Sequence, residues 1–329
     1  MRVHLEGFGL QGALTRAFLA TYYPDAVVTW HDIEAPINAW TASTGAIYPG
    51  GDPATKEGYE SWVTHLDVLQ RASPVCTIAE RCFSRADMWY SQKSPPHQGR
   101  YTPAREMNVG GEAQLKCAPD QSMHLNAQLF VPQMRHLYAA ERTDSVVMDT
   151  IDGKPLDVDF YVVCHGFGAR LDHYFWGWTR LVELDYDPFF SRNSKDRPSF
   201  YFRKGQLFFY AYPCPGSKWW YAGSSLIRCP LGRTQGYDPV PKYDTWLRHF
   251  LGVARDSIKI TSSGSFLTGW RPAQHDEVAE ADRWVTRDAP IIGGAPTARL
   301  TVPPLWHSGI RHFPRVWDQL SAAFKELTP

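Results

Sequence analysis

Three glycines near the start of the chain, Gly7, Gly9 and Gly12, stand in the spacing GxGxxG within GFGLQGALTRAFLATYYPDAVVTWHD, residues 7–32. In that spacing the first glycine permits a tight turn, the second lets the backbone approach a pyrophosphate, and the third lets a helix pack closely on the preceding strand. The helix N-terminus adds N–H donors and the positive end of its dipole. Asp32 comes at the end of the next apolar stretch, where an acid accepts hydrogen bonds from a ribose, with Glu34 as the alternative acid. An acid there, in place of Arg or Lys, argues against a 2′-phosphate. With 25 glycines in 329 residues the spacing alone proves little, so its flanks must decide.

Those flanks read as a βαβ unit. Arg2 to Glu6 is a short strand, and Ala13 to Tyr22 is a helix with Leu14, Phe18 and Tyr22 four apart on one face, stopped by Pro24 and Asp25. Val27 to Trp30 has the β-branched and aromatic make-up of a buried parallel strand.

Whole-chain features narrow the class. Lys+Arg and Asp+Glu are equal at 34 each, so no global field recruits nucleic acid or an anionic membrane. No apolar run approaches the roughly 18 residues of a membrane span and no signal-peptide pattern opens the chain, so a cytoplasmic protein is expected. The cysteines, Cys76, Cys82, Cys117, Cys164, Cys214 and Cys229, form no CxxC pair and no zinc spacing, and the histidines are scattered. Reduced thiols and no metal site are expected. Aromatic content is 14%, with 13 Trp, concentrated in DHYFWGW and SKWWY; it serves either core packing or a flat-walled pocket. Ser91 to Pro103, SQKSPPHQGRYTP, reads as an irregular excursion.

Further segments surround the glycine turn with a context. TASTGAIYPGGD, residues 41–52, offers Ser43, Thr44 and Gly45, short enough for the backbone to pass close to a phosphate. LNAQLFVPQMRHLYAA, residues 125–140, is a helix with Met134, Leu137 and Tyr138 on one face. SVVMD, residues 145–149, and VDFYVVCHGFGARL, residues 158–171, read as two apolar strands, the second running into a glycine turn at Gly166 and Gly168. TGWRPAQHD spans 268–276. In LWHSGIRHFPRVWDQLSAAFKEL, residues 305–327, Pro314 suits a first helical turn and Val316, Leu320, Phe324 and Leu327 form an apolar stripe. The loop from His307 to Phe313 then lies at a positive dipole end.

Taken in order, seven of these pieces resemble the D-amino acid oxidase and glycine oxidase family of FAD-dependent oxidoreductases: the glycine turn with Asp32, the Ser/Thr-Gly loop, NAQLFVPQMRHL, VVCHGFGA, RKGQ at 203–206, GWRP and HSGIRHFP. The chain is short for the family and departs from it between residues 75 and 118. The resemblance implies an α/β fold, with a Rossmann-type FAD-binding domain (residues 1–55, 120–182 and 262–329) interleaved with an α+β substrate domain (56–119 and 183–261) that contains a large antiparallel sheet. SFYFRKGQLFFYAYP and KWWYAGSSLI alternate as strands of such a sheet.

It also implies non-covalent FAD held by Gly7, Gly9, Gly12, Asp32, Glu34, Ser43, Thr44, Gly45, Val147, Gly166, Gly168, Ser308, Gly309 and Ile310. Cys164 and His165 are expected to fit backbone, with no covalent flavin bond. The reaction implied is oxidation of a C–N bond next to a carboxylate, in an amino acid or N-substituted glycine, giving an imine that hydrolyses to an oxo acid and an amine. Arg271 in GWRP matches the substrate-carboxylate arginine; an ion pair with Asp276 or Glu277 is the structural alternative. Arg311 would neutralise reduced flavin or add a second anion contact, and His307 would flank the flavin or cap the final helix.

Three other readings remain open on sequence alone. A nicotinamide-dependent dehydrogenase shares the opening motif but has no use for the second glycine turn or GWRP. A redox-silent flavin-binding or interaction protein is consistent with the fold. The same cleavage could act on a glycine-type adduct of a uridine or thymidine in RNA or DNA, with Trp and Tyr stacking the base. The zero net charge weighs against that partner.

Overall fold

A computed structural model describes residues 1–32, 40, 45–49, 53–91, 105–109, 113–144, 146–147, 150–151, 154–155, 157–164, 174–191, 197–204, 207–223, 227–229, 258–272, 285–288, 291–292, 295–296, 298–302, 310 and 312–327. From the N-terminus run β1 (Arg2–Glu6), α1 (Leu10–Tyr22), β2 (Val27–His31), β3 (Ala46–Ile47), α2 (Pro53–Ala72) and α3 (Cys76–Cys82). There follow β4 (Phe83–Ser91), β5 (Arg105–Val109), β6 (Ala113–Leu125) and α4 (Ala127–Leu137). Then come the short β7 (Val146–Val147), β8 (Thr150–Ile151) and β9 (Lys154–Pro155), β10 (Phe160–Val163) and the long β11 (Tyr174–Tyr186). The remainder is β12 (Ser199–Lys204), β13 (Leu207–Pro213), β14 (Trp220–Gly223), β15 (Ile227–Cys229), β16 (Ile258–Pro272), β17 (Thr286–Asp288), β18 (Ile291–Ile292), β19 (Ala295–Pro296), β20 (Ala298–Thr301) and α5 (Phe313–Leu327).

Two large sheets organise a mixed α/β fold. The first has the order β17-β20-β10-β1-β2, parallel except for the edge strand β17. Its parallel pairs come from connections that leave the sheet and return, the first of them through α1. The second is ten-stranded, ordered β15-β11-β14-β13-β12-β4-β6-β3, with β16 beside β11 and β5 beside β6. SVVMD, read as an apolar strand, supplies β7, which pairs with β8 in a separate three-stranded sheet with β9.

On one face of the parallel sheet Val3, Leu5, Val28, Trp30, Phe160, Val162 and Leu300 are buried in the main core with the apolar side of α1. Phe18 of α1 stands edge-on to Trp62, Phe313 and Trp317 at 5.9, 5.2 and 5.2 Å between ring centres. Trp30, Trp62, Trp89, Trp220 and Trp317 are all buried, so core packing accounts for these five tryptophans. In α5, Val316, Leu320 and Phe324 face the core as their spacing predicts. In α4 the buried face is Phe130, Val131 and Met134; Leu137, expected to share it, is exposed because the helix ends there. Among the described residues no helix is long and apolar enough to cross a membrane.

The opposite face of the parallel sheet is polar. His4 is fully buried, with Nδ1 2.8 Å from Thr29 Oγ1 and Nε2 2.8 Å from His31 Nδ1, and it lies against the Tyr161 ring. Burial, and then the neighbouring His31, pull the His4 pKa down to about 4, opposed by Glu6. In the second sheet burial pulls His124 down to about 3, assisted by Arg197. Both imidazoles are therefore neutral in the fold, while in the unfolded chain they take up protons below about pH 6.5. The unfolded state gains those protons first, so stability falls as pH drops from 6.5 towards 4. By pH 4.5 the loss is about 2–3 kcal/mol per histidine. Denaturant midpoints at pH 7 and 4.5 check this. His4→Gln should flatten the pH dependence, and an unchanged slope would refute the assignment.

Candidate functional site

The glycine turn is built as its spacing requires. Gly7 has φ 90°, a left-handed conformation, and its N–H donates to His31 O at 2.9 Å, tying the turn to the end of β2. A Cβ on Gly12 would lie 2.1 Å from Gly7 O, so only glycine lets α1 start this close to the turn. Gly9 precedes the helix, and its carbonyl accepts the Ala13 N–H at 2.9 Å, leaving the amides of residues 10–12 ahead of the helical ladder. Among the described residues a Cβ on Gly9 would meet only Trp40, at 3.7 Å. No described residue therefore requires glycine at that position.

Asp32 closes the turn from the other side. One carboxylate oxygen accepts the Phe8 N–H at 3.3 Å, and the other pairs with the Arg135 guanidinium. Arg135 in turn donates to Phe8 O at 3.1 and 3.0 Å and lies 5.9 Å from the Trp40 ring. The acid expected at the ribose thus also braces the turn, through a helix-borne arginine that local sequence patterns do not single out. Trp40 is a second such residue. Its indole Nε1–H is buried without a hydrogen-bond partner beside Gly9, and an orphaned buried donor costs about 1–3 kcal/mol unless a ligand or water accepts from it. The open Cβ position at Gly9, the first-turn amides and an unused indole donor fit the diphosphate of a dinucleotide.

Cys164 follows β10, with its N–H on Glu6 O at 2.8 Å and its Cβ close to Gly12, so the start of VVCHGFGA adjoins the first turn. Burial pushes the Cys164 thiol up to about 12, which leaves it protonated and a poor nucleophile. Gly45 has φ 57°, its carbonyl accepts the Leu125 N–H at 3.0 Å, and a Cβ would collide with Leu125 O. Here glycine answers a close backbone crossing onto β6, and β3 then pairs Ala46 and Ile47 with His124 and Met123. The segment that leaves the glycine turn is thereby stitched into the large sheet.

That sheet presents a tyrosine-rich face. Tyr210 and Tyr212 stack at 4.9 Å, Tyr48 and His124 flank Tyr212, and Thr179 Oγ1 lies 3.3 Å from the Tyr210 hydroxyl. Gly223 leaves room for that ring, since a Cβ would sit 2.2 Å from the Tyr210 hydroxyl. Met88, Tyr90 and Tyr201 complete the cluster. Arg271 lies on β16 opposite Phe175 of β11. Thr179 lies four residues further along β11, opposite Leu267 of β16. Arg228 of β15 is opposite the same Phe175.

Val147 belongs to β7, and Ile310 is buried with its carbonyl accepting the Trp62 Nε1–H at 2.6 Å, which anchors the chain just before α5. Glu34, Ser43, Thr44, His165, Gly166, Gly168, His307, Ser308, Gly309 and Arg311, with Asp276, Glu277 and the excursion over 92–104, lie outside the described residues.

No known family profile matches the sequence, and no curated protein matches it either. Solved structures do. Iminodiacetate oxidase from Chelativorans sp. BNC1 superposes with a TM-score of 0.64 at 16% identity, over 99% of this chain and 95% of that one. Glycine oxidase from Geobacillus kaustophilus gives 0.67 at 12%, over 100% and 96%. The deglycating fructosamine oxidase from Aspergillus fumigatus gives 0.58 at 13%, over 100% and 86%. The chain has the fold of these oxidases along its whole length.

Proposed function

We propose that this protein is an FAD-dependent oxidoreductase that oxidises the C–N bond of a small amine bearing a carboxylate, an amino acid or N-substituted glycine, with FAD bound non-covalently. The observation that carries the reading is the cradle at Gly7, Gly9 and Gly12, with the partnerless Trp40 donor beside it, joined through β3 to the tyrosine-rich sheet in which the Arg271 strand pairs with β11. The oxidases that share the fold act on glycine, iminodiacetate and fructosamines by their names, which supports the same bond type here.

FAD, when bound, supplies the acceptor for the hydride that leaves the substrate α-carbon. The chain's own part is binding and exclusion. Arg271 grips the carboxylate through a bidentate fork and so fixes the α-carbon. Tyr210 and Tyr212 wall the site and keep water from the reacting carbon. Once oxidised, the substrate is an imine, to which water adds to release the oxo acid and the amine. Cys164, held protonated by burial, offers no thiolate for a flavin linkage.

Anaerobic mixing of the purified protein with glycine, sarcosine, D-alanine and iminodiacetate tests the reading. Visible flavin absorption should bleach with at least one of them, and denaturation should release free FAD. A colourless protein that takes up NAD and no flavin overturns the proposal.

A further inference from the structure

A second site lies at the other end of the large sheet. Along β11, Phe175 marks the Arg271 row and Val182 pairs with Trp220, roughly 20 Å further on at strand spacing. There a cleft of about 650 Å³ opens between the start of β4, residue 197 and the turn from β13 to β14, and Ser84, Arg85, Arg197 and Ser217 supply its polar side chains.

Its charges do not balance. Arg197 donates from Nη1 to Trp219 O at 3.0 Å and from Nη2 to Cys214 O at 2.5 Å, and its guanidinium stands 4.7 Å from the Trp220 ring. Burial pulls its pKa down, and the groups acting to raise it are the Cys214 thiol and the Tyr186 phenol. Burial raises that thiol, so it is neutral, and among the described residues no carboxylate pairs with Arg197. Arg85 adds a second guanidinium, whose Asp67 partner at 2.9 Å is itself half-exposed. Ser84 Oγ is buried in the lining without a hydrogen-bond partner. Clamping the β13–β14 turn explains two of the Arg197 donors. It leaves unexplained the missing counter-charge, the remaining N–H groups and the orphaned hydroxyl.

We propose that this cleft binds the phosphate group of a phosphoester. Two guanidinium groups on separate walls and the free Ser84 hydroxyl outnumber the two oxygens of a carboxylate and suit the three or four of a phosphate, while the Ser217 hydroxyl is already committed to Cys214 O at 3.2 Å. The volume leaves room for the ester's organic part. The site is independent of the flavin reading, because it shares no residue with the glycine turn or with Arg271.

Calorimetric titration of the FAD-saturated protein with inorganic phosphate, and separately with a short single-stranded oligonucleotide, tests it. Saturable phosphate binding should weaken about tenfold in Arg85→Gln, which loses a charge-assisted donor, and severalfold in Ser84→Ala. Both substitutions leave the turn clamp intact, so folding and flavin reduction should be unchanged. If the oligonucleotide binds more tightly than phosphate and shows the same Arg85 dependence, the ester is a nucleic-acid backbone; equal or weaker binding assigns a small phosphoester. Absence of saturable phosphate binding, or affinity unchanged in both variants, overturns the proposal.

Discussion

Gly12→Ala should unfold the start of α1 or force it off the sheet, costing at least about 3 kcal/mol, and should abolish FAD retention. The new Cβ would lie 2.1 Å from the Gly7 carbonyl oxygen and 3.1 Å from its carbon, and neither is the end of a flexible side chain. Gly7 cannot yield easily, since its left-handed φ and its bond to His31 O fix the turn. Nor can α1, whose Ala13, Leu14, Ala17 and Phe18 are buried in the core. Gly9→Ala is the matched control. Its Cβ would make ordinary contact with Trp40, at a φ of −76° that alanine adopts freely, so stability should hold while FAD affinity falls. Thermal melts of both apo-proteins beside FAD titrations separate the two effects. A Gly12→Ala protein with wild-type melting temperature would show that the turn is not packed as described.

The parts legible in the sequence are those fixed by near neighbours. Strand, glycine turn, helix and strand from Arg2 to His31 follow from local periodicity and from conformations that only glycine accepts. What escaped depends on pairing between distant segments. Asp32 reads as a free ribose acceptor until α4 brings Arg135 to it, more than a hundred residues later. Trp40 sits in a segment with no periodic signal, and only the fold puts its indole donor beside Gly9. The apolar look of β1 and β2 hides the His4–Thr29–His31 layer, because one apolar face suffices to make a strand look buried. Gly223 carries no signal either, and Gly45 stands out in the sequence for a phosphate rather than for the Leu125 backbone, since that backbone and the Tyr210 ring arrive through sheet register.

Register also frames the test of the chemistry, because GWRP gives Arg271 a neighbourhood only through β11. Opposite Phe175, Arg271 is the cation that the proposed reaction needs next to a carboxylate. Arg271→Met removes the fork while keeping a long unbranched side chain. Each charge-assisted bond lost is worth roughly 1.5–3 kcal/mol, so two bonds predict a drop of about 10²–10⁴ in the ratio of flavin-reduction rate to substrate Kd. FAD content and stability should stay at wild-type values, because none of the groups assigned to the cofactor cradle is touched. Arg271→Lys should recover only part of the loss, since an ammonium restores charge without the planar two-point grip. Stopped-flow bleaching across a range of substrate concentrations reads rate and affinity separately. A Met variant that reduces its flavin like the wild type would remove Arg271 from the site and return it to a structural ion pair.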